Sequence, residues 1–181
     1  MTLFIIICAA LLTAVAGFSY IRLRLQHRSR SAKPVPFIFL PFLAYLLCVL
    51  LFRLNVPWHV LLWGAAAQFV QLFVGYYRNA FERSTRFDRY MHALACFAYG
   101  LLIYGTLAAI TGEDVSPLYA ALMSAAFAET FGVLMEHFEF TADLHGKSPV
   151  KHQKSLRDTN FDLLANSFGA LCAGIYAYML M

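Results

Sequence analysis

Apolar positions in this chain come in long unbroken blocks, and polar residues gather in the short stretches between them. A bilayer core about 30 Å thick is crossed by roughly 20 apolar residues in a helix. Read against that length, the pattern predicts six spans: Thr2–Tyr20, Pro36–Arg53, Trp58–Tyr77, Met91–Ile110, Pro117–His137 and Phe161–Met181. The predicted fold is therefore all-α, a six-helix transmembrane bundle forming one integral membrane domain over residues 1–181. A soluble helical protein is the competing class, but its surface would need far more charge than the 13% carried here.

The connections sharpen the picture. Residues 21–35 are basic and end at Pro34 and Pro36, which start the next helix. Asn55-Val56-Pro57 makes a tight hairpin, and residues 111–117, with Gly112, Glu113 and Asp114, make a short turn. The connection from Phe138 to Asn160 is the longest polar stretch between later spans and carries Gly146 and Pro149. It is the expected substrate-contacting loop.

Charge then orients the chain. Arg22, Arg24, Arg28, Arg30 and Lys33 follow the first span, Arg78, Arg83, Arg86 and Arg89 the third, and Lys147, Lys151, Lys154 and Arg157 the fifth. These odd connections hold thirteen of the fourteen Lys and Arg residues, with Arg53 alone elsewhere. Such alternation is the positive-inside pattern, with odd connections cytoplasmic and both termini outside. The net charge of +4 thus marks topology and anionic headgroups, and a nucleic-acid partner is not expected. The first span has its charges after it, so a retained helix is expected in preference to a cleaved signal peptide. Cys8, Cys48, Cys96 and Cys172 fall inside spans without paired spacing and read as small apolar packers.

In the last span Ala165, Gly169, Ala173 and Ala177 recur every four residues, a stripe that lets another helix come close. Asp162, Asn166, Ala170 and Gly174 form the next row, so this helix is expected to sit centrally and away from lipid.

The candidate chemistry lies in three polar groups at helix ends. Asp88 and His92 are one turn apart, so Asp88 can orient the imidazole or share a ligand with it. A structural alternative has Asp88 capping the helix and His92 bonded to a backbone carbonyl. Glu136 and Glu139 end the fifth span, with Glu129 two turns deeper; Glu129 is expected to be protonated or partnered. Asp143 and His145 follow. Ion pairing to Arg86, Arg89 or Arg157 is the alternative for these acids. Asp158 and Asp162 open the sixth span, where Asp158 or Thr159 as a cap explains the acids but not Asn166. Its amide needs a partner on another helix or a ligand.

Asp88, His92, Glu136, Glu139, Asp158 and Asp162 form a donor set for one hard divalent cation, Mg2+ or Mn2+, the imidazole favouring Mn2+. No HExxH, Cys/His cluster, P-loop or GxSxG occurs. His92, Asp88, Glu136 and Asp162 are the candidate catalytic groups, and Asn166, Arg89, Lys147 and Arg157 the candidate substrate contacts. Gln68 and Gln71 line the third span, either toward the same cavity or against another helix.

These motifs carry a resemblance. Phe161-Asp162-Leu163-Leu164-Ala165-Asn166-Ser167-Phe168-Gly169-Ala170-Leu171 resembles the closing helix of VanZ-like membrane proteins, D-x-x-x-N-x-x-G-A, and Asp88-Arg89-Tyr90-Met91-His92 resembles their D-[KR]-x-x-H helix start. Glu139 departs from that pattern, where VanZ-like chains carry Gln or another polar residue. E-x-x-E at Glu136 and Glu139, followed by D-x-x-x-D at Asp158 and Asp162, is closer to the YjdF-like inner-membrane proteins. The likeness covers residues 87–174 and implies a small multi-pass protein of the bacterial inner membrane, with Asp88, His92, Glu136, Glu139, Asp158, Asp162 and Asn166 as the shared polar set. VanZ-like proteins are linked to glycopeptide tolerance and the cell envelope.

Three functions stay open. One is a metal-dependent hydrolase, transferase or binder acting on a lipid or polyprenyl-linked phosphate headgroup. Another is a proton- or cation-coupled transporter or flippase with a route reaching Glu129. The third is a non-catalytic assembly partner in which the polar set only ties helix ends together.

Overall fold

The computed structural model describes residues 1–112, 115–145, 153 and 155–181, and among these every regular element is helical. Among the described residues six helices are long and apolar enough to cross a membrane. Lys147, Lys151 and Lys154, the loop residues Gly146 and Pro149, and the acidic pair Glu113 and Asp114 lie outside the described residues.

Helix α1 covers Thr2–Leu25 and stops where His27 turns left-handed (φ 58°). After the single turn α2 (Ser29–Ala32), Pro34 opens α3 (Pro34–Leu51), a placement suited to a residue with no N–H to lose. Together they make one apolar span, Ser29–Leu51. Arg53, at φ 51°, turns the chain back toward α4 (Trp58–Phe69). The same rod continues as a π-helical segment, Val70–Tyr77, closed by the Arg78 N–H bonding the Phe73 carbonyl five residues back at 2.9 Å. Asn79, left-handed at φ 65°, ends it, and the turn α5 (Ala80–Arg83) follows.

Helix α6 (Thr85–Thr111) begins at Ser84, whose hydroxyl accepts the Phe87 N–H at 3.2 Å, so Ser84 and not Asp88 caps it. Gly112, at φ 65°, stops it. Helix α7 spans Pro117–His145 and α8 Leu156–Leu180. Ser155 caps α8 by accepting the Asp158 N–H at 3.1 Å, which corrects the expectation that Asp158 or Thr159 does so.

The chain divides into two compact units, Met1–Asp88 with Gly105–Glu113, and Arg89–Tyr104 with Asp114–Met181. In the first, α1 packs on α3, α4 and the π segment through Ile5, Leu12, Ala16, Ser19 and Leu23, one face at helical spacing. Gln68 is buried there, its amide 3.4 Å from the Ile38 carbonyl of α3, so it ties two helices. The Tyr45 and Thr106 hydroxyls meet at 2.8 Å.

In the second unit α7 buries Ala120, Ser124, Ala128, Gly132 and Glu136, one residue every turn. Small side chains at that spacing let backbones approach, and lipid supplies no hydrophobic drive to replace such close packing. Helix α8 answers with Asp162, Asn166, Gly169, Ala170, Ala173, Gly174 and Ala177, so both rows seen in its sequence are buried apart from the half-buried Ala165. A Cβ on Gly169 would collide with the Ala93 carbonyl oxygen of α6. The opposite face of α8, with Leu164, Phe168, Leu171, Ile175 and Tyr178, is exposed. The helix is therefore two-faced and not enclosed on all sides, because its bulky residues occupy the face that the stripe leaves over.

Candidate metal centre

The small-residue stripe of α7 ends on its buried face at Glu136, and the second unit's part of α6 begins near His92, which is 2% exposed. Close packing along the stripe thus carries a carboxylate to a buried imidazole. His92 Nδ1 lies 3.7 Å from Glu136 Oε1, and its Nε2 lies 3.8 Å from Glu139 Oε1. One ligand atom from each of His92, Glu136 and Glu139 falls within 4.8 Å of the other two. Two carboxylates thus bracket one imidazole ring.

Asn166 fixes that ring. Its Oδ1 accepts from His92 Nδ1 at 3.1 Å and from the Cys96 thiol at 3.1 Å, and the residue is fully buried. With Nδ1 donating to Asn166, Nε2 is left to present its lone pair on the Glu139 side, the arrangement that orients a metal-binding histidine. The amide is pressed against α7: a Cβ on Gly132 would stand 2.6 Å from Asn166 Cγ. Only glycine leaves that space.

Gln153 closes the site from the loop side, its Nε2 donating to the Glu136 carbonyl at 3.2 Å and to Glu136 Oε2 at 3.0 Å, while its backbone N–H donates to Asp143 Oδ2 at 2.9 Å. Glu136 Oε1 is left buried with no hydrogen-bond partner. A buried carboxylate oxygen without a donor is costly, and a cation is one remedy.

The donors suit a divalent ion. Metal–nitrogen and metal–oxygen bonds of about 2.0–2.2 Å put neighbouring ligand atoms roughly 3–3.5 Å apart. With Nδ1 engaged by Asn166, the ligand nitrogen is Nε2, and its 3.8 Å separation from Glu139 Oε1 needs only small side-chain movements to close on an ion. One imidazole with two carboxylates is a mixed set that suits Mn2+ better than Mg2+.

The other candidate residues lie elsewhere. Asp158 is 3.6 Å from Arg89, whose guanidinium stacks 4.4 Å over the Phe161 ring; Arg157 lies 5.6 Å from the same ring. Asp162 is buried on α8 but outside the converging trio, and Asp88 is half-buried one turn before His92, in the first unit. Glu129 is partnered by Ser167, whose hydroxyl lies 3.0 Å from Glu129 Oε1 and 3.1 Å from the Leu163 carbonyl. His145 turns back to the Thr141 carbonyl at 3.1 Å. Two contributors escape sequence reading: Cys96, taken there as a packer although it stands one turn after His92, and Gln153, for which no spacing signal exists.

Neither a curated protein nor a solved structure matches the chain significantly. One family model does, and it runs through both units and every residue of the His92, Glu136 and Glu139 centre: residues 2–181 match the predicted membrane protein family DUF2238, to which this chain belongs.

Proposed function

We propose that this membrane protein holds a divalent ion, Mn2+ or Mg2+, at His92, Glu136 and Glu139, and uses it on the phosphate headgroup of a lipid or polyprenyl-linked substrate. The observation that carries the reading is the convergence of those three side chains around a buried Glu136 oxygen that lacks a hydrogen-bond partner. A divalent ion there would supply Lewis-acid polarisation of a phosphoryl group. Asn166 holds the His92 ring, and Gln153 holds the other Glu136 oxygen.

The substrate class rests on the start of α8. Leu156, Arg157, Asn160, Phe161 and Leu164 line an open groove of about 340 Å³, apolar apart from a guanidinium and an amide. Such a surface matches an amphiphile with an anionic head. The charge alternation supports a reading with both termini outside a bacterial cytoplasmic membrane and the site toward the inner leaflet. The finer likeness to VanZ-like and YjdF-like proteins, carried by the E-x-x-E and D-x-x-x-N spacings, belongs to the same proposal.

Detergent-purified protein titrated with Mn2+ and followed by electron paramagnetic resonance should show saturable binding in wild type. Glu136→Gln and His92→Gln should each lose it. Equal, negligible binding in all three removes the metal.

Proton carriage is the second reading, favoured by an imidazole lying between two carboxylates at 3.7 and 3.8 Å. Its mark is transport that survives chelation of divalent ions and fails in His92→Gln.

A further inference from the structure

We propose that the first unit carries a separate binding site for an anionic phosphoryl group, in a cleft where α1 and the π-helical segment end. Gln26, Arg28, Tyr77, Arg78 and Arg83 line about 280 Å³ there. Three guanidiniums share that space and no carboxylate lines it. Gathering like charges has a Coulomb cost that something must offset.

The fold accounts for one of the three. Arg28 Nη1 donates to the Tyr77 carbonyl at 3.1 Å and Nη2 to the Tyr76 carbonyl at 3.5 Å, closing the C-terminal end of the π segment, where a cation is favoured. Arg78 and Arg83 have no such duty. The nearest acid in sequence, Glu82, is engaged elsewhere: Asn79 Nδ2 donates to its Oε2 at 2.8 Å, and the Ser31 hydroxyl lies 3.5 Å from its Oε1. Among the described residues neither Arg78 nor Arg83 is ion-paired.

Backbone geometry holds the cleft in shape. The wide π turn and the left-handed Asn79 reverse the chain between Arg78 and Arg83, so two arginines five residues apart face one space. Guanidinium forks recognise phosphate oxygens in pairs, and Arg28, already fixed by two carbonyls, is a preorganised member of the set. The cleft stands where two apolar spans end, at headgroup depth, so the phosphoryl group comes from a lipid or from free phosphate.

The test compares Arg78→Gln/Arg83→Gln with Arg22→Gln/Arg86→Gln, which removes equal charge from exposed positions outside the cleft. Arg28 is left intact because it closes the π segment. Thermal unfolding of purified full-length protein is followed with inorganic phosphate, and with mixed micelles containing phosphatidic acid against phosphatidylcholine alone. The expected result is saturable stabilisation of wild type and of the control pair, with apparent affinity weakened about tenfold or more in the cleft pair. Stabilisation by phosphatidic acid but not inorganic phosphate assigns the lipid source, and the reverse assigns the free ion. No stabilisation by either ligand, or equal weakening in both double variants, overturns the site. The Mn2+ titration reads a different unit, so its failure leaves this outcome unaffected.

Discussion

Asn166 accepts two donors on one oxygen, and this decides what its loss does. Asn166→Ala leaves His92 Nδ1 without its acceptor, so the ring is free to turn and its protonated nitrogen is no longer specified. Loss of such an orienting bond should weaken Mn2+ binding about 10- to 100-fold. Cys96→Ala removes only a weak thiol donor and should leave the affinity within about threefold. Mn2+ titration of both variants checks the contrast; equal weakening would mean that Asn166 acts through general packing. The sequence marks Asn166 as an amide needing a partner but does not say which, because the partner lies 74 residues away on α6. Its Oδ1 is engaged by His92 and Cys96, a positioning bond that the expectation of a substrate contact did not include. Glu129 was legible in kind, since a deep acid must be protonated or partnered, and Ser167 is that partner.

At the scale of elements, α8 meets α6 through backbone. The Ala93 carbonyl faces Gly169 so closely that a side chain at 169 has nowhere to go, and a carbonyl in a helix cannot yield as a side-chain tip can. Gly169→Leu should therefore destabilise the second unit by about 1–3 kcal/mol or more. Leu171→Ala, on the exposed face, should lower resistance to denaturing detergent by much less. Unfolding in graded dodecyl sulfate compares them. The α8 stripe was readable because small residues recur every four positions. The matching run in α7, Ala120-Ser124-Ala128-Gly132, has the same spacing and was equally open to reading. Helix ends were less legible. Hydropathy stops at the first charges, as at Met91 and His137, whereas α6 starts at Thr85 and α7 runs to His145. Backbone hydrogen bonding continues into water after apolar need ends. The π segment gave no signal, since its apolar content suits a plain helix equally well.

For the whole chain, six spans would put both termini on one side, and the positive-inside expectation is that this side is the outer one. Each Lys or Arg near an anionic cytoplasmic surface is worth about 1 kcal/mol, so thirteen residues against Arg53 alone make a strong bias. In a background with Cys8, Cys48, Cys96 and Cys172 replaced, Asn55→Cys and Ser116→Cys should react with an impermeant maleimide added to intact cells. Thr85→Cys, in the third connection as the hydropathy pattern divides the chain, should react only after permeabilisation. All three side chains are exposed, so burial does not confuse the readout. The reverse labelling pattern would turn the arginines of the cleft toward the outer leaflet and remove the argument from anionic inner-leaflet lipid. The carboxylate–imidazole geometry would survive, because it depends on packing inside the second unit and not on which way the chain was inserted. Labelling therefore separates what charge distribution dictates from what helix packing dictates.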